Sequence, residues 1–365
     1  MAATNDSTWM HRAIRLAERG RGLASPNPPV GAVVVRDGAA IAQGFHRGPG
    51  TAHAEIEAIE AAGEATRGAT LYLTLEPCTH QGRTPPCAPE VIAAGFGRVV
   101  IGTTDPNPVV DGRGVAELRR AGIDVSIGVL NAESDRLIQS FSKFIRTKRP
   151  FVTAKIAVSL DGRAAAADGS SQWITGPTAR RDSHRMRAGA DAVLVGVGTV
   201  LHDDPQLTVR LRGFRGRQPL RVVLDSACRT PPGAAILGEG GSTLIVTTDK
   251  ATQEAEELLR AGDVDVVRVA ARDGRVDLNA VLELLGRRGV TDLLIEGGPT
   301  VIGDVVDRWL ADRYVFYVAP KLLGSGGPGA VSALVAPTIS DARELRVDSV
   351  RHIGADLKIE AYPRS

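Results

Sequence analysis

Cysteine is scarce in this sequence: Cys78, Cys87 and Cys228 are the only three in 365 residues, too few for a disulfide framework. In a reducing compartment a close pair such as Cys78 and Cys87 points instead to a metal, and Cys228 to a small buried side chain. No uninterrupted apolar stretch reaches membrane-spanning length, and the opening Met1–Arg12 is polar, without the apolar segment of an export signal. A cytoplasmic location and no membrane partner are therefore expected. Excess charge is lacking too. With 44 basic and 42 acidic side chains, the formal charge of +2 leaves no strong field for nucleic acid or an anionic surface. Internal repeats and low-complexity segments are also absent, as is a G-x-G-x-x-G dinucleotide fingerprint after any strand-like run. These absences favour small-molecule chemistry.

What is present is a globular composition, 43% apolar and 24% charged, at a length that exceeds one ordinary core. Asp6–Gly20 reads as an amphipathic helix, with Asp6 or Ser7 as N-cap and Trp9, Ala13, Ile14 and Ala17 as its apolar stripe. Strand-like and helical runs then alternate: Val30–Val35, Ala40–Phe45, His53–Ala62, Thr70–Leu75, Ala88–Ala94, Arg98–Gly102, Gly114–Ala121, Asp124–Val129 and Ala132–Arg146. This rhythm implies an α/β sandwich. Pro150 disfavours helix before it, and a new pattern opens at Phe151–Val158. Strands are expected at Leu220–Leu224, Thr243–Thr247, Val264–Val269, Asp292–Ile295 and Arg313–Val318, with helices at Thr178–Arg187 and Leu278–Arg288. Two α/β domains follow, 1–149 and 150–365, with different motifs and so different chemistry.

In the first half, His53-Ala54-Glu55 opens a helical run, Cys78 follows the strand Thr70–Leu75, and Cys87 precedes the next helix. One imidazole and two thiolates make a three-ligand zinc set that leaves the fourth tetrahedral position for water, the arrangement of catalytic sites. Glu55 sits where it can exchange protons with that water without ligating the metal. Both cysteines lie at helix entrances, where the positive end of the helix dipole favours thiolate. Each residue alone has an ordinary explanation: His53 as a helix cap, Glu55 as a solvated carboxylate, the cysteines as core. Their ordered combination favours the site.

His53-Ala54-Glu55 with Pro77-Cys78 resembles the cytidine and nucleobase deaminase superfamily, except that the second cysteine is not two residues further on. The longer loop Glu76-Pro77-Cys78-Thr79-His80-Gln81-Gly82-Arg83-Thr84-Pro85-Pro86-Cys87 resembles the signature of the bifunctional deaminase/reductase family of riboflavin biosynthesis. So does Pro26-Asn27-Pro28-Pro29-Val30-Gly31. The resemblance implies a cytidine-deaminase-like α/β/α sandwich with Glu55 as the catalytic acid/base and His53, Cys78 and Cys87 on Zn2+. It also implies that Asn27 and His80 hold the pyrimidine and that Thr104–Pro108 line the same pocket. Asn27 could equally be a turn residue between prolines.

In the second half, Glu296-Gly297-Gly298-Pro299-Thr300 follows a strand and precedes a helix. Glycines admit a ligand close to the backbone, Pro suits the first helical position, and a helix N-terminus favours an anion such as a pyrophosphate. A tight turn without a ligand fits the same residues. The runs Lys155–Gly162, Ser171–Thr175, Val200–Pro205 and Ala319–Gly324 resemble motifs of the reductase domain of the same family, which is related to the dihydrofolate reductase fold. By that resemblance NADPH would touch Val158, Trp173, Thr199, Asp203 and Ser226, and also Gly298, Pro299, Thr300, Val301, Ile302, Gly303 and Asp304. Ser171, Arg187, Leu207, Arg210 and Glu296 would touch the substrate. Arg187 and Arg210 suit a phosphate clamp, although both could be ordinary surface arginines. Lys155 and Asp161 could bond sugar hydroxyls or simply pair within the fold.

The expected activity is hydrolytic deamination of 2,5-diamino-6-(5-phosphoribosylamino)pyrimidin-4-one, then NADPH-dependent reduction of its ribosyl group to ribityl. The partners are that small pyrimidine ribosyl phosphate and a homo-oligomeric copy. One alternative is a zinc deaminase of another nucleobase or nucleoside with an unrelated C-terminal domain. Another is a zinc-stapled binding module, which would need His80 as a fourth ligand.

Overall fold

The computed structural model describes residues 2–261, 264–332 and 336–364. The chain divides into two compact units, 1–148 and 149–365.

Unit one is built on a five-stranded sheet. Its elements run α1 (Ala2–Glu18), β1 (Gly31–Arg36), β2 (Ala39–Phe45), α2 (Ala54–Ala62), β3 (Thr70–Leu75), α3 (Cys87–Ala93), β4 (Arg98–Thr103), α4 (Arg113–Arg120), β5 (Asp124–Ile127) and α5 (Asn131–Thr147). The order is β2-β1-β3-β4-β5; β1 is antiparallel to both neighbours, whereas β3, β4 and β5 are parallel. Strand alternation sends Ala32, Val34, Leu71, Leu73, Val99 and Ile101 to a face covered by α2, α3 and α4. Val33, Tyr72 and Val100 go to the face under α1. The result is an α/β/α sandwich. Asp6 does not cap α1 but lies inside it, buried, where its carboxylate accepts from Arg98 Nη1 and Nη2 at 2.9 Å each and from the Tyr72 hydroxyl at 2.7 Å. The helical pattern continues upstream of Asp6, so a side chain suited to a cap is used for sheet packing instead.

Unit two carries a nine-stranded sheet. It contains β6 (Phe151–Ser159), α6 (Pro177–Gly189), β7 (Ala192–Gly196), α7 (Val197–Asp203), β8 (Leu220–Leu224), β9 (Thr243–Thr247), α8 (Gln253–Arg260) and β10 (Asp265–Arg268). A small hairpin follows, β11 (Ala271–Arg272) and β12 (Arg275–Val276), then α9 (Leu278–Arg287), β13 (Asp292–Ile295), α10 (Pro299–Asp307), β14 (Arg313–Ala319), β15 (Leu345–Ile353) and β16 (Asp356–Pro363). The order β10-β9-β8-β7-β13-β6-β14 is parallel throughout, and the closing pair β16-β15 is antiparallel. Parallel strands buried on both faces are near-continuous apolar runs, as in β9 (Thr-Leu-Ile-Val-Thr). Helices α9 and α10 cover one face through Leu278, Val281, Leu285, Ile302 and Val305. Val197 and Val200 of α7 and Leu259 of α8 pack on the other. Among the described residues no helix is long and apolar enough to cross a membrane.

Candidate active sites

In unit one the C-terminal end of β3 and the start of α2 meet. Gly44 on β2 lets α2 approach this closely, since a Cβ there would fall 2.3 Å from the Ala54 carbonyl oxygen. His53 is the residue at the N-cap of α2, and Cys87 is the first residue of α3. The Cys78 carbonyl accepts from the N–H groups of Cys87 (3.0 Å) and Ala88 (3.1 Å), which fixes the entrance of α3 against the loop after β3. His53 Nδ1 lies 3.1 Å from Cys87 Sγ and 3.8 Å from Cys78 Sγ, and the three ligand atoms all lie within 4.8 Å of one another. Tetrahedral zinc with one nitrogen and two sulfurs needs ligand separations of roughly 3.5–3.8 Å. The donor set therefore fits zinc. His80 is not part of this cluster, so the described residues offer no fourth protein ligand.

The surroundings tune these groups. The hydrogen bond from Cys87, and after it His53, holds the Cys78 thiol well below the usual thiol range, in the direction that favours a metal ligand. Burial pushes the Glu55 carboxyl up, leaving a group with affinity for a proton beside the metal ligands. Thr84 Oγ1 lies 3.1 Å from His53 Nε2 and orients the ring so that Nδ1 faces the sulfurs. Asn27 Nδ2 lies 3.1 Å from Nε2 of the buried His46, whose ring meets that of His53 edge-on with centroids 5.0 Å apart. His80 Nδ1 is buried with no hydrogen-bond partner among the described residues. Asp105, pushed up to about 6 by burial, lies within electrostatic reach of His80. The buried Glu76 carboxylate holds this wall in place by accepting from the N–H groups of Asp105, Gly112 and Val115.

In unit two the parallel strands end at a cleft of about 1560 Å³. That exceeds the roughly 300–1,000 Å³ of a pocket for one drug-sized molecule. Ser171, Trp173, Arg187, Thr199, Asp203, Leu207, Arg210, Ser226, Glu296 and the stretch Gly298–Asp304 all line it. Val158 does not; it is buried in the core with Ile156 and Ile295. Gly298 caps α10 without a side-chain hydrogen bond and Pro299 occupies its first turn, so the leading N–H groups are left for a ligand. Gly297 is required there, because a Cβ would fall 2.7 Å from Val301 Cβ. An extended cleft with an uncapped, glycine-walled helix start fits a dinucleotide phosphate.

At the β6 and β13 end of the cleft Glu296 is held by two cations. Arg187 binds it with two nitrogens (Nε–Oε1 2.6 Å, Nη2–Oε2 3.0 Å), and Lys155 Nζ lies 3.1 Å from Oε2. Burial alone would raise the Glu296 carboxyl, but the facing Arg187 and Lys155 outweigh it and hold it well below the usual carboxylate range. Arg187 also donates to the Thr208 carbonyl (3.2 Å), so its guanidinium is largely committed within the fold. Arg210 is freer, bonded to Gln206 Oε1 and Thr208 Oγ1 at 3.1 and 3.3 Å. Ser171 Oγ donates to Asp203 at 3.1 Å. Asp161 is a latch: its carboxylate accepts from the N–H groups of Leu323 and Gly324 and from the Ser159 hydroxyl.

A model of the cytidine and deoxycytidylate deaminase zinc-binding region matches residues 3–103, and the RibD C-terminal domain matches residues 150–359. The riboflavin biosynthesis protein RibD of Escherichia coli (strain K12) is 41% identical over 363 residues, covering 96% of this chain and 98% of that one. The chain belongs to the RibD family. RibD of Aquifex aeolicus (strain VF5) is likewise 41% identical, over 354 residues and 97% of each chain. Among solved structures, Acinetobacter baumannii RibD aligns over 100% of both chains with a TM-score of 0.87 at 38% identity. A deaminase/reductase from Thermotoga maritima does so with a TM-score of 0.87 at 39% identity. The match of the second half to the RibD C-terminal domain removes the alternative of an unrelated C-terminal domain.

Several RibD residues in these sites gave no signal in the sequence. Thr84 is one of two threonines in the cysteine loop, and nothing in the spacing marks it as the partner of His53. His46 lies outside every motif. His184, whose Nδ1 accepts from the Arg210 N–H at 3.2 Å, sits on α6 among arginines that drew attention first.

Proposed function

We infer that this chain deaminates a diaminopyrimidine ribosyl phosphate in unit one and reduces the deaminated product with NADPH in unit two, two successive steps of riboflavin biosynthesis. The observation that carries this reading is the union, in one RibD-family chain, of the His53–Cys78–Cys87 cluster beside buried Glu55 with a separate elongated cleft. Zinc held by His53, Cys78 and Cys87 supplies Lewis acidity for attack of water on the amidine carbon of the ring. Glu55, raised by burial, takes the proton from that water and returns it to the departing amino nitrogen. Asn27 and the unpartnered His80 Nδ1 orient the pyrimidine.

In unit two NADPH supplies the hydride that reduces the ribosyl carbon. The protein's own part is placement. Arg210 holds the substrate phosphate, while Lys155 and Arg187, fixed by Glu296, form a rigid cationic floor beneath the sugar. The two thiolate ligands suit a reducing, cytoplasmic location. Closed symmetry is the common state of soluble enzymes, and we expect a homo-oligomer, which sedimentation of the purified chain tests; a monomer would contradict it. Incubating the zinc-loaded chain with the diaminopyrimidine phosphate tests the activity. Ammonia should appear without NADPH, and NADPH oxidation should require that ammonia has been released. A zinc-replete chain releasing no ammonia would contradict the reading.

A further inference from the structure

We propose that Arg229 and Arg275 grip the 2′-phosphate of NADPH and so determine the preference of the reductase unit for NADPH over NADH. The inference rests on the reductase reading above. The strand order β8-β7-β13-β6 places Lys155, on β6, three inter-strand steps from the end of β8, roughly 14 Å at the usual spacing. The substrate-side charges Lys155, Arg187 and Glu296 occupy the β6 and β13 end, so the reacting end of the dinucleotide lies there. Between the two ends, the start of α10 at Gly298, without a side-chain cap, lines the cleft and suits its phosphates. Its adenosine is thereby directed to the end of β8.

That end is basic and preformed. The fully buried Asp225 accepts from the Thr230 N–H (2.7 Å), the Thr230 hydroxyl (2.8 Å) and the Ala227 N–H (3.4 Å), tying down the turn that presents Arg229. Ser226 Oγ accepts from the Val276 N–H at 3.1 Å, which fastens the β11–β12 hairpin to the same turn and brings Arg275 beside it. Arg229, Arg272 and Arg275 all line the cleft. Arg272 has Asp273 at 3.7 Å, whereas Arg229 and Arg275 have no acidic partner among the described residues. Of the other cleft arginines, Arg187 and Arg308 are paired with Glu296 and Asp277, Arg180 donates to the Thr175 carbonyl and lies over the Trp173 ring, and Arg210 is bonded to Gln206 and Thr208, on the side assigned above to the substrate. Two exposed guanidinium groups on fixed turns, without a carboxylate, suit a dianionic phosphate monoester.

The test is titration calorimetry of the full chain with NADPH, NADH and adenosine 2′-phosphate, before and after Arg229→Ala, Arg275→Ala and both together. The unaltered chain should bind NADPH more tightly than NADH and should bind adenosine 2′-phosphate. Each single variant should raise the Kd for NADPH roughly tenfold, the scale of a charge-assisted hydrogen bond, and the double variant more, with the Kd for NADH unchanged. The unchanged NADH affinity also reports that the cleft is intact. Equal affinity of the unaltered chain for both cofactors, or parallel loss of NADPH and NADH binding in the variants, would overturn the arginine assignment alone. Failure of the unaltered chain to bind either cofactor would overturn the reductase reading and this proposal with it.

Discussion

The two sites are made in opposite ways. In unit one, four side chains on three closely spaced segments converge: His53 and Glu55 at the start of α2, Cys78 after β3, and Cys87 at the start of α3. In unit two the cleft is spread across the ends of several parallel strands, and two glycine-containing strand-to-helix turns, Gly196 to Thr199 and Gly297 to Thr300, line it. In the function proposed here, one site supplies its own acid/base and metal ligands, while the other shapes and charges a space for a cofactor that brings the chemistry. The difference implies that single substitutions should be near all-or-none in unit one and graded in unit two.

The largest effect expected is on the metal. Cys78→Ala and Cys87→Ala should each abolish stoichiometric zinc and ammonia release, whereas Cys228→Ala, a buried residue after β8, should leave both intact; metal analysis with an ammonia assay checks this. Loss of zinc in the Cys228 variant would break the contrast between the units. Next is Glu55→Gln, which should keep zinc and slow ammonia release roughly a hundredfold to ten-thousandfold. If zinc were lost with it, Glu55 would be a ligand.

In unit two, Glu296→Ala leaves Lys155 and Arg187 buried without their anion, with side chains only 17% and 13% exposed. Breaking a buried ion pair of this kind costs about 3–5 kcal/mol, so a melting temperature for unit two lower by on the order of ten degrees is expected in calorimetry, with zinc content retained. A melting temperature within about two degrees of the unaltered chain would mean that the pair contributes little. Smallest is Arg210→Ala, expected to raise the KM for the deaminated substrate roughly tenfold while leaving the Kd for NADPH unchanged. The reverse pattern would move Arg210 to the cofactor.

Legibility in the sequence follows the same division. His53, Cys78 and Cys87 could be read because zinc ligation demands imidazole and thiolate side chains, and these stand out by residue type and order along the chain. The cleft was readable only through the Glu296–Thr300 turn and family resemblance, since glycine-walled shape leaves little mark on residue identity. Arg187 reads equally well as a phosphate ligand or a structural cation, and only the fold reveals that Glu296 engages two of its nitrogens. The strand β15 escaped notice because it lies at the sheet edge, largely exposed, where Arg346, Asp348, Arg351 and His352 interrupt the apolar alternation. Asp6 misled for a related reason: a helix boundary is set by where the pattern stops, and here it continues past a residue whose carboxylate serves Arg98 instead.

The central claim is that two self-sufficient active sites share one chain. The Glu55→Gln chain, supplied with the already deaminated substrate and NADPH, tests it most directly by following NADPH oxidation and the mass of the product. Ribityl product is expected at the rate of the unaltered chain, from a protein that no longer releases ammonia. A fall in NADPH oxidation parallel to the loss of deamination would contradict it, and would mean that the two reactions depend on one site.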